Sequence, residues 1–121
     1  MDMEFEYQNL VEIYTKMIES NPNDAVAYNY RGRYLSLLGK HEEGIESIDQ
    51  AIQLNSNYAD AFTNKGHILH KMGKQSEALV CFDRVSEMDP YFVNPLRQNW
   101  LFQRQKEEKK NDSNTNNAHN M

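Results

Sequence analysis

The sequence predicts an all-α fold of about six antiparallel helices, stacked as successive helix–turn–helix pairs. Three observations predict it. Apolar residues recur at three- and four-residue spacing along most of the chain, as in Ala61, Phe62, Leu69 and Met72 and again in Ala78, Leu79, Phe82, Val85 and Met88. Three prolines and five glycines in 121 residues are too few for a turn-rich β fold. The chain also resembles itself when shifted by 34 residues, a period that belongs to helix–turn–helix solenoids.

The first helix is expected over residues 4–20, where Phe5, Leu10, Tyr14, Met17 and Ile18 form one apolar stripe. Pro22 ends it, and Asp24 is placed to cap the next helix. That second helix spans about 25–38, with Ala27, Tyr28, Gly32, Tyr34, Leu35 and Leu38 facing inward. Gly39-Lys40 breaks it, and a third helix over about 41–54 carries Ile45, Ile48, Ala51, Ile52 and Leu54. After Asn55-Ser56-Asn57 come two more, at about 59–72 and 75–88, divided by Gly73-Lys74 and ended by Asp89-Pro90.

The period makes these elements copies. Ala25 falls on Ala59, Ala27 on Ala61, Gly32 on Gly66, Leu35 on Leu69, Gly39 on Gly73 and Asp49 on Asp83. Close packing explains the repeat. Gly32 and Gly66 let the first helix of each pair approach the second, with Gly44 and Ala78 as small residues opposite. Tyr28, Phe62, Ile48 and Phe82 fill the gaps, and Gly39 and Gly73 supply the left-handed backbone that ends a helix tightly. In the same register the first helix is the second half of a repeat. At the other end Asn94-Pro95 starts a last helix, and Trp100 stands where the pattern has glycine. One domain over 1–110 is therefore expected: a half repeat at 4–20, repeats at 25–58 and 59–92, and a capping helix at 94–108. An Asn-rich tail at 111–121 has nothing apolar to bury beyond Ala118 and Met121, and is expected to be disordered.

Composition narrows the function classes. The net charge of −5 argues against a general nucleic-acid surface, and no apolar run reaches the length of a membrane span. The acidic start Met1-Asp2-Met3-Glu4-Phe5-Glu6 is not a secretory signal, and Cys81 is the sole cysteine, so a cytoplasmic, reducing location is expected. No phosphate loop, nucleophile elbow or H-E-x-x-H is present, and no enzyme activity or cofactor is expected. His67 and His70, one helical turn apart, are half a zinc site at most. Cys81 reads as a core filler and His41 as a turn residue, so no metal is expected.

These residues resemble the tetratricopeptide repeat family. Tyr28, Gly32, Leu35, Gly44, Ile48 and Ala51 fill one copy of its pattern, with Ser56 in place of the usual proline. Phe62, Gly66, Leu69, Ala78, Phe82, Val85 and Pro90 fill a second, and Arg31 and Lys65 stand where the family usually has Leu. The resemblance implies a right-handed superhelix whose concave face, lined by the first helix of each pair, binds a peptide of a partner protein. Residues off the buried stripe of those helices should line it: Asn29 and Arg33, then Asn64, His67, His70 and Lys71, then Arg97 and Arg104 on the last helix. In this lining Arg33, Lys71, Arg97 and Arg104, with His67 and His70, oppose Asp60 alone, so it is basic although the chain is acidic, and the expected partner is a protein segment that carries acidic groups. Relatives that grip a chaperone's C-terminal carboxylate do so with Lys and Asn, then Asn, then Lys and Arg. Asn29, Arg33, Asn64, Asn94 and Gln98 hold those places here, and only Asn64 matches. The alternative is a self-assembling subunit, a homo-oligomer completed by stacking of terminal helices.

Overall fold

The structure, a computed structural model, describes residues 3–97 and 104–110. Five helices follow in order: α1 (Met3–Ser20), α2 (Ala25–Leu37), α3 (His41–Leu54), α4 (Ala59–Lys71) and α5 (Gln75–Met88). Residues 95–97 and 104–110 are also helical, and no strand occurs among the described residues. Trp100, Gln98, Leu101 and the tail from 111 onward lie outside the described residues. No described helix is long and apolar enough to cross a membrane.

The connections are short and stereotyped, so neighbouring helices run antiparallel. Each helix packs on the next, and α2 also touches α4, which is the staircase of an α–α solenoid. Asp24 caps α2 by accepting the Ala27 amide at 3.0 Å. Gly39 and Gly73 have φ of +85° and +79°. At the first, the Lys40 amide reaches back to the Leu35 carbonyl (2.9 Å) and the Gly39 amide to Ser36 (2.9 Å). At the second, Lys74 reaches Leu69 (2.9 Å) and Gly73 reaches His70 (3.0 Å). These are paired Schellman caps, and only glycine enters that backbone region without strain.

The loops between pairs repeat as well. Asn21, Asn55 and Asp89 each accept the amide two residues on, at 3.2, 3.1 and 3.0 Å. Such Asx turns bend the chain without proline, which is how Ser56 replaces the expected residue without loss of the turn.

Two apolar clusters fill the stack. One joins Ile48 and Ala51 of α3 to Ala61 and Ile68 of α4. The other joins Leu69 of α4 to Ala78, Cys81 and Phe82 of α5, and Ile45 touches both. The glycine contacts are close. A Cβ on Gly32 would lie 2.5 Å from the Gly44 carbonyl oxygen, and one on Gly66 would lie 2.7 Å from the Phe82 ring.

One expectation changes at α1. Of its stripe only Ile18 is buried, whereas Phe5 and Met17 are 64% and 42% exposed. Among the described residues α1 packs on α2 alone, so one contact covers only part of a wide apolar face. Tyr14 spans the seam, stacked on Tyr30 and Tyr34 at ring separations of 5.6 and 6.0 Å.

Candidate functional site

The first helices of the two full pairs, α2 and α4, lie side by side and enclose a cleft of about 460 Å³. Arg33, Ser36 and Leu37 line it from α2, and Thr63, Asn64, His67, Ile68, His70 and Lys71 from α4. No carboxylate is among these residues. Of the eight expected groove residues, Arg33, Asn64, His67, His70 and Lys71 meet here.

The other three do not. Asn29 is corrected from lining residue to buried strut, 1% exposed. Both ends of its amide are bonded: the Asn64 side chain donates to its oxygen at 3.0 Å, and its own nitrogen donates to the Tyr58 hydroxyl at 3.3 Å. A buried amide must be satisfied, and this ladder ties α2 to α4 beneath the cleft. Arg97 is held by Asp83 of α5 through a fork of 3.0 and 3.3 Å. Arg104 pairs with Glu108 at 3.3 Å and lines no part of the cleft. Ile68, the buried floor, stands off the stripe used to predict the core. An apolar residue at that place was the available signal that α4 buries a second face, against α2 as well as α3 and α5.

The cleft's charge follows from which cations find partners. Lys65 bonds Asp49 of α3 at 2.7 Å, Arg84 bonds Glu87 at 3.0 Å, and Arg31 donates to Ser47 (3.1 Å) over the Tyr28 ring. Arg33 and Lys71 form no ion pair with any described residue. His67 rests edge-on against Phe82, with ring centres 5.1 Å apart. Burial, then the nearby Lys71, His70 and Arg33, hold its pKa below the ordinary histidine value. A larger cavity of about 560 Å³ lies among α1, α2 and α3 and has the opposite character, with Glu43, Glu46 and Asp49 around it. No set of three or more metal-binding side chains is assembled among the described residues. Cys81 is buried in the core, and burial raises its thiol pKa.

Comparison with known proteins now places this architecture. Models of the tetratricopeptide repeat match residues 13–46, 35–73 and 59–92. The chain belongs to the tetratricopeptide repeat family. Among solved tetratricopeptide domains, the second domain of Spaghetti (RPAP3), bound to the HSP90 peptide SRMEEVD, is 29% identical. The match covers 69% of this chain and 77% of that one, with a TM-score of 0.65. The first domain of the same protein, bound to the same peptide, is 26% identical over 76% of this chain and 77% of that one, with a TM-score of 0.72. The TPR2B domain of yeast Sti1, in its pHsp70 complex, is 28% identical over 72% and 70%, with a TM-score of 0.68. No curated protein sequence matches the chain. The fold and these likenesses make the chain a protein-interaction module.

Proposed function

We propose that the cleft between α2 and α4 binds an extended segment of a partner protein that carries acidic groups. The observation that carries this reading is a lining with Arg33, Lys71, His67 and His70 and, among the described residues, no carboxylate, in a chain of net charge −5. A recess lined by one sign of charge concentrates ligands of the other sign regardless of net charge. Leu37 and Ile68 add an apolar floor, which suits a side chain adjacent to the acidic one. The peptide bound by the two similar domains, SRMEEVD, is of this type. The test is fluorescence anisotropy with labelled SRMEEVD and a lysine-substituted version of it. Arg33→Glu combined with Lys71→Glu should abolish binding of the acidic peptide and leave the helical circular-dichroism signal intact. Unchanged binding, or equal binding of the basic peptide, would refute the reading.

A second reading, self-association through α1, is favoured by the exposed Phe5, Ile13 and Met17 on that helix. Light scattering against concentration decides it, and a monomer at high concentration removes it. A cytoplasmic location is proposed from Cys81 as the sole cysteine and is tested by fractionation.

A further inference from the structure

We infer that the cleft takes up a proton together with its acidic ligand, and that His67 is the group that receives it. The inference rests on the groove reading above and concerns how that site is regulated.

His67 lines the cleft together with Arg33, His70 and Lys71. Arg33 faces it from α2, and His70 and Lys71 act on it from α4 itself. From α5 it meets the uncharged Phe82 ring. Without a ligand, a proton arriving on His67 meets partial burial and cations on two sides, and among the described residues no carboxylate lines the cleft to offset them. The neutral imidazole is therefore favoured, and its pKa lies below the ordinary value. An acidic segment in the cleft reverses this balance. Its negative charge offsets Arg33 and Lys71 and attracts a proton to His67, so the bound-state pKa exceeds the free-state pKa. By linkage, affinity rises as pH falls through the interval between the two values. A protonated ring also offers two N–H donors where the neutral ring offers one. A groove built from arginine and lysine alone has no such response between pH 5.5 and 7.5, because neither titrates there.

The test is isothermal titration calorimetry of the whole chain with SRMEEVD at pH 7.5, 6.5 and 5.5, in buffers of differing ionisation heat. The peptide's carboxylates stay largely ionised over that range. Affinity should strengthen by up to about fivefold as pH falls, the range that one added charge near an exposed anion contributes. Net proton uptake should appear as a buffer-dependent heat. The His67 ring proton, followed by NMR, should titrate at higher pH with peptide than without. His67→Gln should remove most of the pH response whatever its affinity at pH 7.5, and more of it than His70→Gln, which takes away the cleft's other imidazole. Binding that is independent of pH, or a full pH response in His67→Gln, overturns this inference and leaves the groove reading standing. No binding at any pH overturns both.

Discussion

Replacement of Gly32 by alanine tests whether backbone contact between paired helices holds the stack together. In an ordinary helix the change stabilises by about 1 kcal/mol, because glycine has the greater freedom to lose. Here the new methyl would lie 2.5 Å from the Gly44 carbonyl oxygen and 2.5 Å from Ile48 Cγ1, where ordinary contact begins near 3.4 Å. Ile48 is fully buried, and Gly44 is backbone of the facing helix. Relief therefore requires α2 and α3 to part by about 1 Å, which loosens the buried Ala27, Leu35 and Ala51 contacts on both sides. Overpacking of this kind costs about 1–3 kcal/mol, and a backbone obstacle puts it at the upper end. Net destabilisation of about 1–2 kcal/mol is expected, and the urea midpoint should fall by about 1 M. Gly66→Ala makes the contrast. Its obstacle is the Phe82 ring, with Cε1 and Cζ at 2.7 Å. Phe82→Leu removes those two atoms, so the Gly66 substitution should become nearly neutral in that background. The Gly32 substitution should remain harmful even with Ile48→Ala. A Gly32→Ala protein as stable as the parent would refute the close-contact argument, as would rescue by Ile48→Ala.

Four further outcomes are expected. Asn29→Ala leaves the Asn64 amide and the Tyr58 hydroxyl without their buried partner, and urea unfolding should show a loss of about 1–3 kcal/mol. Lys65→Leu exchanges a partly exposed ion pair with Asp49 for the residue the family usually carries, and stability should change by less than about 1 kcal/mol. The Cys81 thiol, buried and with a raised pKa, should react with a disulfide reagent far more slowly in native protein than in urea. Because the folded-state pKa of His67 is lowered, protonation favours the unfolded chain. Stability should therefore decline as pH drops below the ordinary histidine value of about 6.5, and His67→Gln should decline less in parallel melts.

The self-similarity of the chain made the helices legible, because each glycine and each loop had a copy against which to be read. Gly39 and Gly73 do the same work with the same hydrogen bonds, and Gly32 and Gly66 each leave room for the facing helix, one for its backbone and one for the Phe82 ring. Polar burial was not legible by that route. Asn29 read as a groove residue, yet it is 1% exposed, and Ser36 and Ser47 are buried as well, at 4% and 2%. Their partners stand elsewhere in the sequence. Asn64 and Tyr58 hold Asn29, His41 holds Ser36 at 2.8 Å, and Ser47 bridges the Tyr28 carbonyl and Arg31. Helical spacing reports which side of one helix is apolar, and says nothing of a polar partner on a second helix that makes burial tolerable.

The same limit explains why part of the expected basic lining went elsewhere. Asp49 and Asp83 occupy equivalent places on α3 and α5, and each takes a cation from the element that follows: Lys65 from α4 and Arg97 from the helical segment at 95–97. Arg31, at the place of Lys65 one repeat earlier, has Thr15 rather than an acid at the matching site on α1, and turns to Ser47 and the Tyr28 ring instead. Lys65 and Arg97 thus point their charge toward the second helices of the pairs. Arg33 and Lys71 project from α2 and α4 into the cleft between those two helices, where no acid among the described residues lines the walls. Of the expected lining, Arg97 is thus drawn away by Asp83, while Arg33 and Lys71 remain as cations of the cleft. Asp83→Asn, which frees Arg97, offers a way to alter charge near the groove without touching its lining.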